Sequence, residues 1–112
     1  MPMPNIEGMD RKKPLCYDPE RRRFIYFDDI ISGRERIIPV DRLSENDLKR
    51  LVIKRHKTGP NYTVRAMSGN ALSRDDVVNA IEKGESFGRM TLEAEASALR
   101  DLLAEIERNL HS

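Results

Sequence analysis

Residues able to do chemistry are few in this chain, and they lie far apart. There is one cysteine, Cys16, and there are two histidines, His56 and His111. A reactive thiol needs a neighbouring base or cation to hold it as thiolate, and neither histidine is near Cys16 in sequence. Cys16 therefore reads as a small, buried strand residue. His56 stands between Arg55 and Lys57, at a predicted helix C-terminus, where the dipole favours cations. A zinc site needs several His or Cys ligands at short spacings, and these three residues cannot supply one. No metal and no cofactor are expected.

Acidic pairs occur at Asp28-Asp29 and Asp75-Asp76. On a strand, sequence neighbours point to opposite faces, so Asp28 and Asp29 would not converge. Asp75 and Asp76 fall in the first turn of a predicted helix, where negative charge is favoured for structural reasons alone. The stretch "KGESFGR", Lys83 to Arg89, sets two glycines and two cations before a helix, which faintly suggests an anion-binding helix start. It lacks the Lys-Ser/Thr ending of a phosphate loop. It reads instead as a helix–helix turn, with Gly84 as stop, Ser86 or Thr91 as cap and Phe87 as anchor. No catalytic residue is assigned, and the chain reads as non-enzymatic.

Two features look more like binding surfaces. "KRLVIKRHK" carries Lys49, Arg50, Lys54, Arg55 and Lys57, with no acid between Leu48 and Pro60. Arg50, Lys54 and Lys57 share a helix face by their i, i+4, i+7 spacing. Such a stripe suits salt-dependent phosphate contacts, and Arg11, Lys12 and Lys13 could extend it. The second feature is the C-terminal segment from Thr91 to Leu110, free of Gly and Pro and rich in Ala, Leu and Glu. Leu92, Ala96, Leu99, Leu103, Ile106 and Leu110 recur at alternating steps of four and three. That is a seam of period 3.5, the pattern of paired helices. Leu102 widens it, and Ala94, Ala98 and Ala104 flank it.

"RRRFIYFDD", Arg21 to Asp29, sets aromatic rings beside arginines. A nucleic-acid platform wants its aromatics on one exposed sheet face. Here Phe24 and Tyr26 share one face, Ile25 and Phe27 the other. From Asp18 to Asp29 four acids oppose three arginines. The stretch reads as a two-faced core strand with charged ends.

The elements that must position these residues follow from local signals. Leu15–Tyr17 and residues 23–28 read as strands joined by a turn at Pro19, and "RIIPV", residues 36–40, as a further short strand ending at Pro39. Ser44 caps a helix over residues 44–58, stopped by Gly59 and Pro60. "NYTVRAM" alternates and predicts a half-buried strand, with Tyr62, Val64 and Ala66 on one face. "SGNA" ends it. Ser73 caps a second helix over residues 73–83, with Asp76 three residues on and Gly84 as stop. "LSENDL" and "LSRDDV" are thus alike, which shared capping physics explains. The long helix over residues 91–110 follows.

A chain of 112 residues suits one domain. Residues 1–14, with three prolines and a glycine, read as a flexible arm, and 15–112 as a single α+β domain. Its expected architecture is a small antiparallel sheet of about four short strands, packed by three helices of which the last is longest. Residues 1–60 carry 14 basic and 10 acidic side chains, and residues 61–112 carry 6 and 9. The net charge of +1 gives no global attraction to nucleic acid or acidic lipid. No apolar run is long enough to cross a bilayer, and a lone cysteine fits a reducing compartment. A cytoplasmic location is expected. The leading functional expectation is a small regulatory or interaction module. It would bind a protein partner, or itself as a homodimer, through Leu92, Leu99, Leu103, Ile106 and Leu110. The alternative is a nucleic-acid-binding regulator using Lys49, Arg50, Lys54, Arg55 and Lys57.

Overall fold

A computed structural model describes residues 9–65 and 67–111. The fold is α+β, its strands pair only antiparallel, and its C-terminal helix is the longest element. In chain order the elements begin with a single helical turn, α1 (Met9–Lys12), followed by β1 (Cys16–Asp18) and β2 (Arg23–Ile25). Next come α2 (Phe27–Ile31), a 3-10 turn (Val40–Arg42) and α3 (Glu45–Thr58). The chain ends with β3 (Thr63–Arg65), β4 (Ala71–Ser73), α4 (Arg74–Lys83) and α5 (Ser86–Leu110). Of the proposed arm, residues 1–8 lie outside the described residues. Arg11 is placed against α2, where its Nε donates to Asp28 at 2.9 Å and its guanidinium lies 5.2 Å from the Phe27 ring centre. Pro14 is buried.

The four strands form two separate hairpins rather than one sheet. In the first, Cys16 faces Ile25, Tyr17 faces Phe24 and Asp18 faces Arg23. The turn between them is held by Asp18 Oδ1, which accepts from the backbone N–H groups of Glu20 and Arg21. Arg22 takes a positive φ of 54° there. Two expectations fail just after this hairpin. Residues 27–31 are helical, so the predicted strand ends at Ile25. Asp29 accepts from the Tyr26 N–H at 3.2 Å, and Asp28 and Asp29 occupy the first turn of α2. The paired acids are thus a helix-start signal. "RIIPV" forms no strand. Ile37 and Ile38 still pack on the core, but β2 bonds only to β1.

The three predicted helices form, and side-chain caps start the first two. Ser44 Oγ accepts from the Asp47 N–H at 3.1 Å. Ser73 and Asp76 cap each other, at 3.2 and 2.9 Å. Gly84 ends α4 with a φ of 71°, a conformation glycine adopts without steric cost. After it, α5 starts at Ser86, five residues before the predicted Thr91, with Glu85 at its N-cap. Gly88 lies within the first turn. A Cβ there would sit 2.1 Å from the Ala80 carbonyl oxygen, so its bare backbone is what lets α5 lie against the end of α4.

The second hairpin also departs from expectation. Val64 is 38% exposed rather than half-buried, as are its strand neighbours. The predicted break "SGNA" returns the chain as β4, pairing Val64 with Leu72. Only Tyr62 and Leu72 turn into the core. That core has two parts. One joins the first hairpin, α2, α3 and the lower half of α5 around Leu15, Ile25, Leu51, Leu99 and Ile106. The other joins α3, α4 and the start of α5 around Val52, Val77, Ile81 and Leu92. No helix among the described residues is long and apolar enough to cross a membrane.

Candidate functional site

The seam of α5 is turned inward. Leu92 is 5% exposed, Leu99 1%, Leu103 4% and Ile106 0%; only Leu110, at 39%, reaches the surface. These residues do not form the free partner-binding face expected of them. The helix is about 37 Å long, but the molecule itself extends 45 Å along its longest axis. The protein's own two core clusters take up the seam from Leu92 to Ile106. Ala94, Ala98 and Ala104 are left on the exposed side.

The outer face of α3 is the surface that remains. Leu51 and Val52 are fully buried, and the opposite side carries Lys49, Arg50, Ile53, Lys54 and Lys57. These five line one groove of about 420 Å3 together with Phe24, Asn46 and Glu82. Four cations thus meet a single acid. The Lys54 ammonium lies 5.8 Å from the centre of the Phe24 ring, within cation–π range. Phe24 is half-buried and is backed by the buried Tyr17, with ring centres 5.1 Å apart.

The five basic residues of α3 do not act together. Arg50, Lys54 and Lys57 are exposed, and the closest ion pair among them is Arg50 with Asp47 at 3.8 Å. Lys49 is half-buried beside the end of α4, its Nζ 3.9 Å from where a Cβ on Gly84 would be. Arg55 is drawn the other way. Its side chain is 14% exposed, its Nε donates to Glu95 at 2.8 Å, and its Nη1 donates to the Pro14 carbonyl at 2.8 Å. Arg55 ties α3 to α5 and to the segment before β1, and is not part of the groove.

Phe24 packs on the core, as expected of a core-strand residue, but is only half-buried, and its remaining surface lines the groove. Among the described residues, two of the three arginines before it have acidic partners, one acid from the local stretch and one from farther along the chain. Arg21 pairs with Asp18 at 2.7 Å and with Glu35, which also meets Arg23 at 3.5 Å. The basic charge beside Phe24 comes instead from α3, about thirty residues away in sequence. Only the packing of α3 on β1 brings them together.

Cys16 is 1% exposed, and burial pushes its thiol up to about 11. It is no nucleophile at neutral pH. Among the described residues no three His, Cys, Asp or Glu side chains group as a metal site. No protein family, curated protein or solved structure matches the chain.

Proposed function

We propose that the protein is a small non-enzymatic binding module for single-stranded nucleic acid, which lies across the outer face of α3. The observation that carries this reading is the groove in which Lys49, Arg50, Lys54 and Lys57 surround the half-buried Phe24 ring, with Glu82 as the one acid. A single strand offers both things such a groove can take. Its phosphates pair with the cations, and an unstacked base lies on the aromatic ring. A duplex keeps its base faces hidden. Tyr17 holds the Phe24 ring in place from behind, so little side-chain entropy is lost on stacking. The low net charge makes the binding local and weak, without long-range attraction.

Three or four phosphate contacts imply a slope of log K against log salt of about −2 to −3 for a single strand. Fluorescence anisotropy with short labelled DNA and RNA strands at a series of salt concentrations tests this directly. The paired change Lys54→Gln and Lys57→Gln should flatten the slope by roughly 1.4. Phe24→Leu, which keeps an apolar side chain in the hairpin, should weaken binding by about 1 to 3 kcal/mol through loss of stacking. Absence of binding at low salt would defeat the proposal.

Association through α5, the other reading, lacks a surface of comparable quality. Its seam residues would have to leave the protein's own core to meet a partner.

A further inference from the structure

We propose that the α3 groove selects guanine among the bases of a single strand, and that Glu82 is the residue that reads it. This rests on the single-strand reading above and adds the base to it. Glu82 stands in the last turn of α4 and is exposed. It lines the groove with Phe24 from β2 and with Lys49, Arg50, Lys54 and Lys57 from α3. Three elements thus meet around one space. At about 420 Å3 that space falls within the range of small-molecule sites, with room for a base and its sugar.

Glu82 is the odd member of this set. Four cations line the groove with it, yet its carboxylate makes no ion pair or hydrogen bond among the described residues. Arg50 is paired with Asp47 at 3.8 Å, and the Lys54 ammonium lies 5.8 Å from the centre of the Phe24 ring. Both oxygens of Glu82 are therefore available to a ligand. An ionised carboxylate can only accept hydrogen bonds. Phosphates offer it no donor and repel it. A ribose 2′-hydroxyl is one donor, the same whatever the base. The remaining donors of a single strand are on its bases, whose Watson–Crick edges are open.

The number of donors on that edge distinguishes the bases. Adenine presents only its 6-amino group, cytosine only its 4-amino group, and thymine or uracil only the N3–H. Guanine presents two donors side by side, the N1–H and the 2-amino group. These match the two oxygens of one carboxylate in a bidentate, charge-assisted pair, the stronger kind of hydrogen bond. Stacking on Phe24 accepts any base; guanine alone then engages both oxygens of Glu82.

The test uses the full chain labelled for NMR and four pentadeoxynucleotides. Each carries one central base between abasic sugars: guanine, hypoxanthine, adenine or cytosine. The phosphates are the same in all four and no 2′-hydroxyl is present, so any difference comes from the base. Affinities are read from the Phe24 ring signals at low salt. Hypoxanthine is guanine without its 2-amino group and isolates the second hydrogen bond. The guanine strand should bind roughly tenfold tighter than the other three, the effect of one additional hydrogen bond to a charged group. Hypoxanthine should fall with adenine and cytosine. In Glu82→Gln, whose amide sets a donor beside its acceptor, the guanine strand should drop to the level of the rest. Guanine bound no tighter than hypoxanthine, or a preference that survives in a folded Glu82→Gln variant, would overturn the inference and leave the groove reading standing. Failure of all four strands to bind would defeat the groove reading and this inference together.

Discussion

Neighbouring side chains on one helix have different roles here. Lys54 and Lys57 face solvent, while Arg55 between them holds α3 to α5. His56 is tied to Tyr62, and burial holds its imidazole below the usual value near 6.5; Lys13 and Arg55 act in the same direction, against Glu95. This gives a signed prediction. A group with a lowered pKa in the folded state binds fewer protons there than in the unfolded chain. The contribution of His56 is therefore fully present above about pH 6.5. It is lost progressively as pH falls through the lowered value. Urea midpoints measured from pH 8 downward should stay level and then decline below about 6.5. In His56→Gln this part of the decline should disappear, leaving the later loss from carboxylates. Among those, Arg21 holds the Asp18 carboxyl below its ordinary range, and the Ser73 backbone N–H does the same for Asp76. An unchanged profile in His56→Gln would show that the imidazole is not held neutral by the fold.

At the scale of elements, the helices were legible because their ends are written in short-range chemistry. Ser44 and Ser73 cap, and Gly59 and Gly84 stop, from signals within a few residues. The strands were less so. "FIYFDD" has the composition of a strand, but its acids start α2. Ile37 and Ile38 are apolar and buried enough to suggest a strand, yet no neighbouring edge receives them. Strand formation depends on a partner elsewhere in the chain, which composition does not name. The α5 seam was legible as an apolar stripe of period 3.5, and was expected to bind a partner; Leu92, Leu99, Leu103 and Ile106 instead lie in the protein's own core. Leu99→Ala should destabilise the fold by about 2 to 5 kcal/mol in urea unfolding, as expected of a core cavity. Leu110→Ala, at the exposed end, should cost under about 1 kcal/mol. Equal, small effects would return the seam to the surface. Gly88→Ala should be as severe as a core deletion, on the order of 3 kcal/mol, because α4 and α5 cannot separate without opening the core around Val77, Ile81 and Leu92. A near-neutral Gly88→Ala would contradict that close approach.

The whole molecule is two hairpins on a bundle of three main helices, and its surfaces differ from what any one segment suggested. The basic stripe of α3 could be read from its spacing. Its aromatic partner could not, because Phe24 reaches it only once the first hairpin packs on α3. The pairing of Arg55 with Glu95 was equally hidden, since the two are 40 residues apart in sequence. Charge tells the same story at this scale. A net of +1 conceals a groove with four cations and one acid. The central claim is that this groove receives a single strand. Its most direct test is an NMR titration of the labelled chain with a short single-stranded oligonucleotide at low salt. The account predicts that shifts concentrate at Phe24, Lys49, Arg50, Ile53, Lys54 and Lys57 and fade as salt is added. Shifts that spare these residues and gather elsewhere, or no shifts at all, would contradict it.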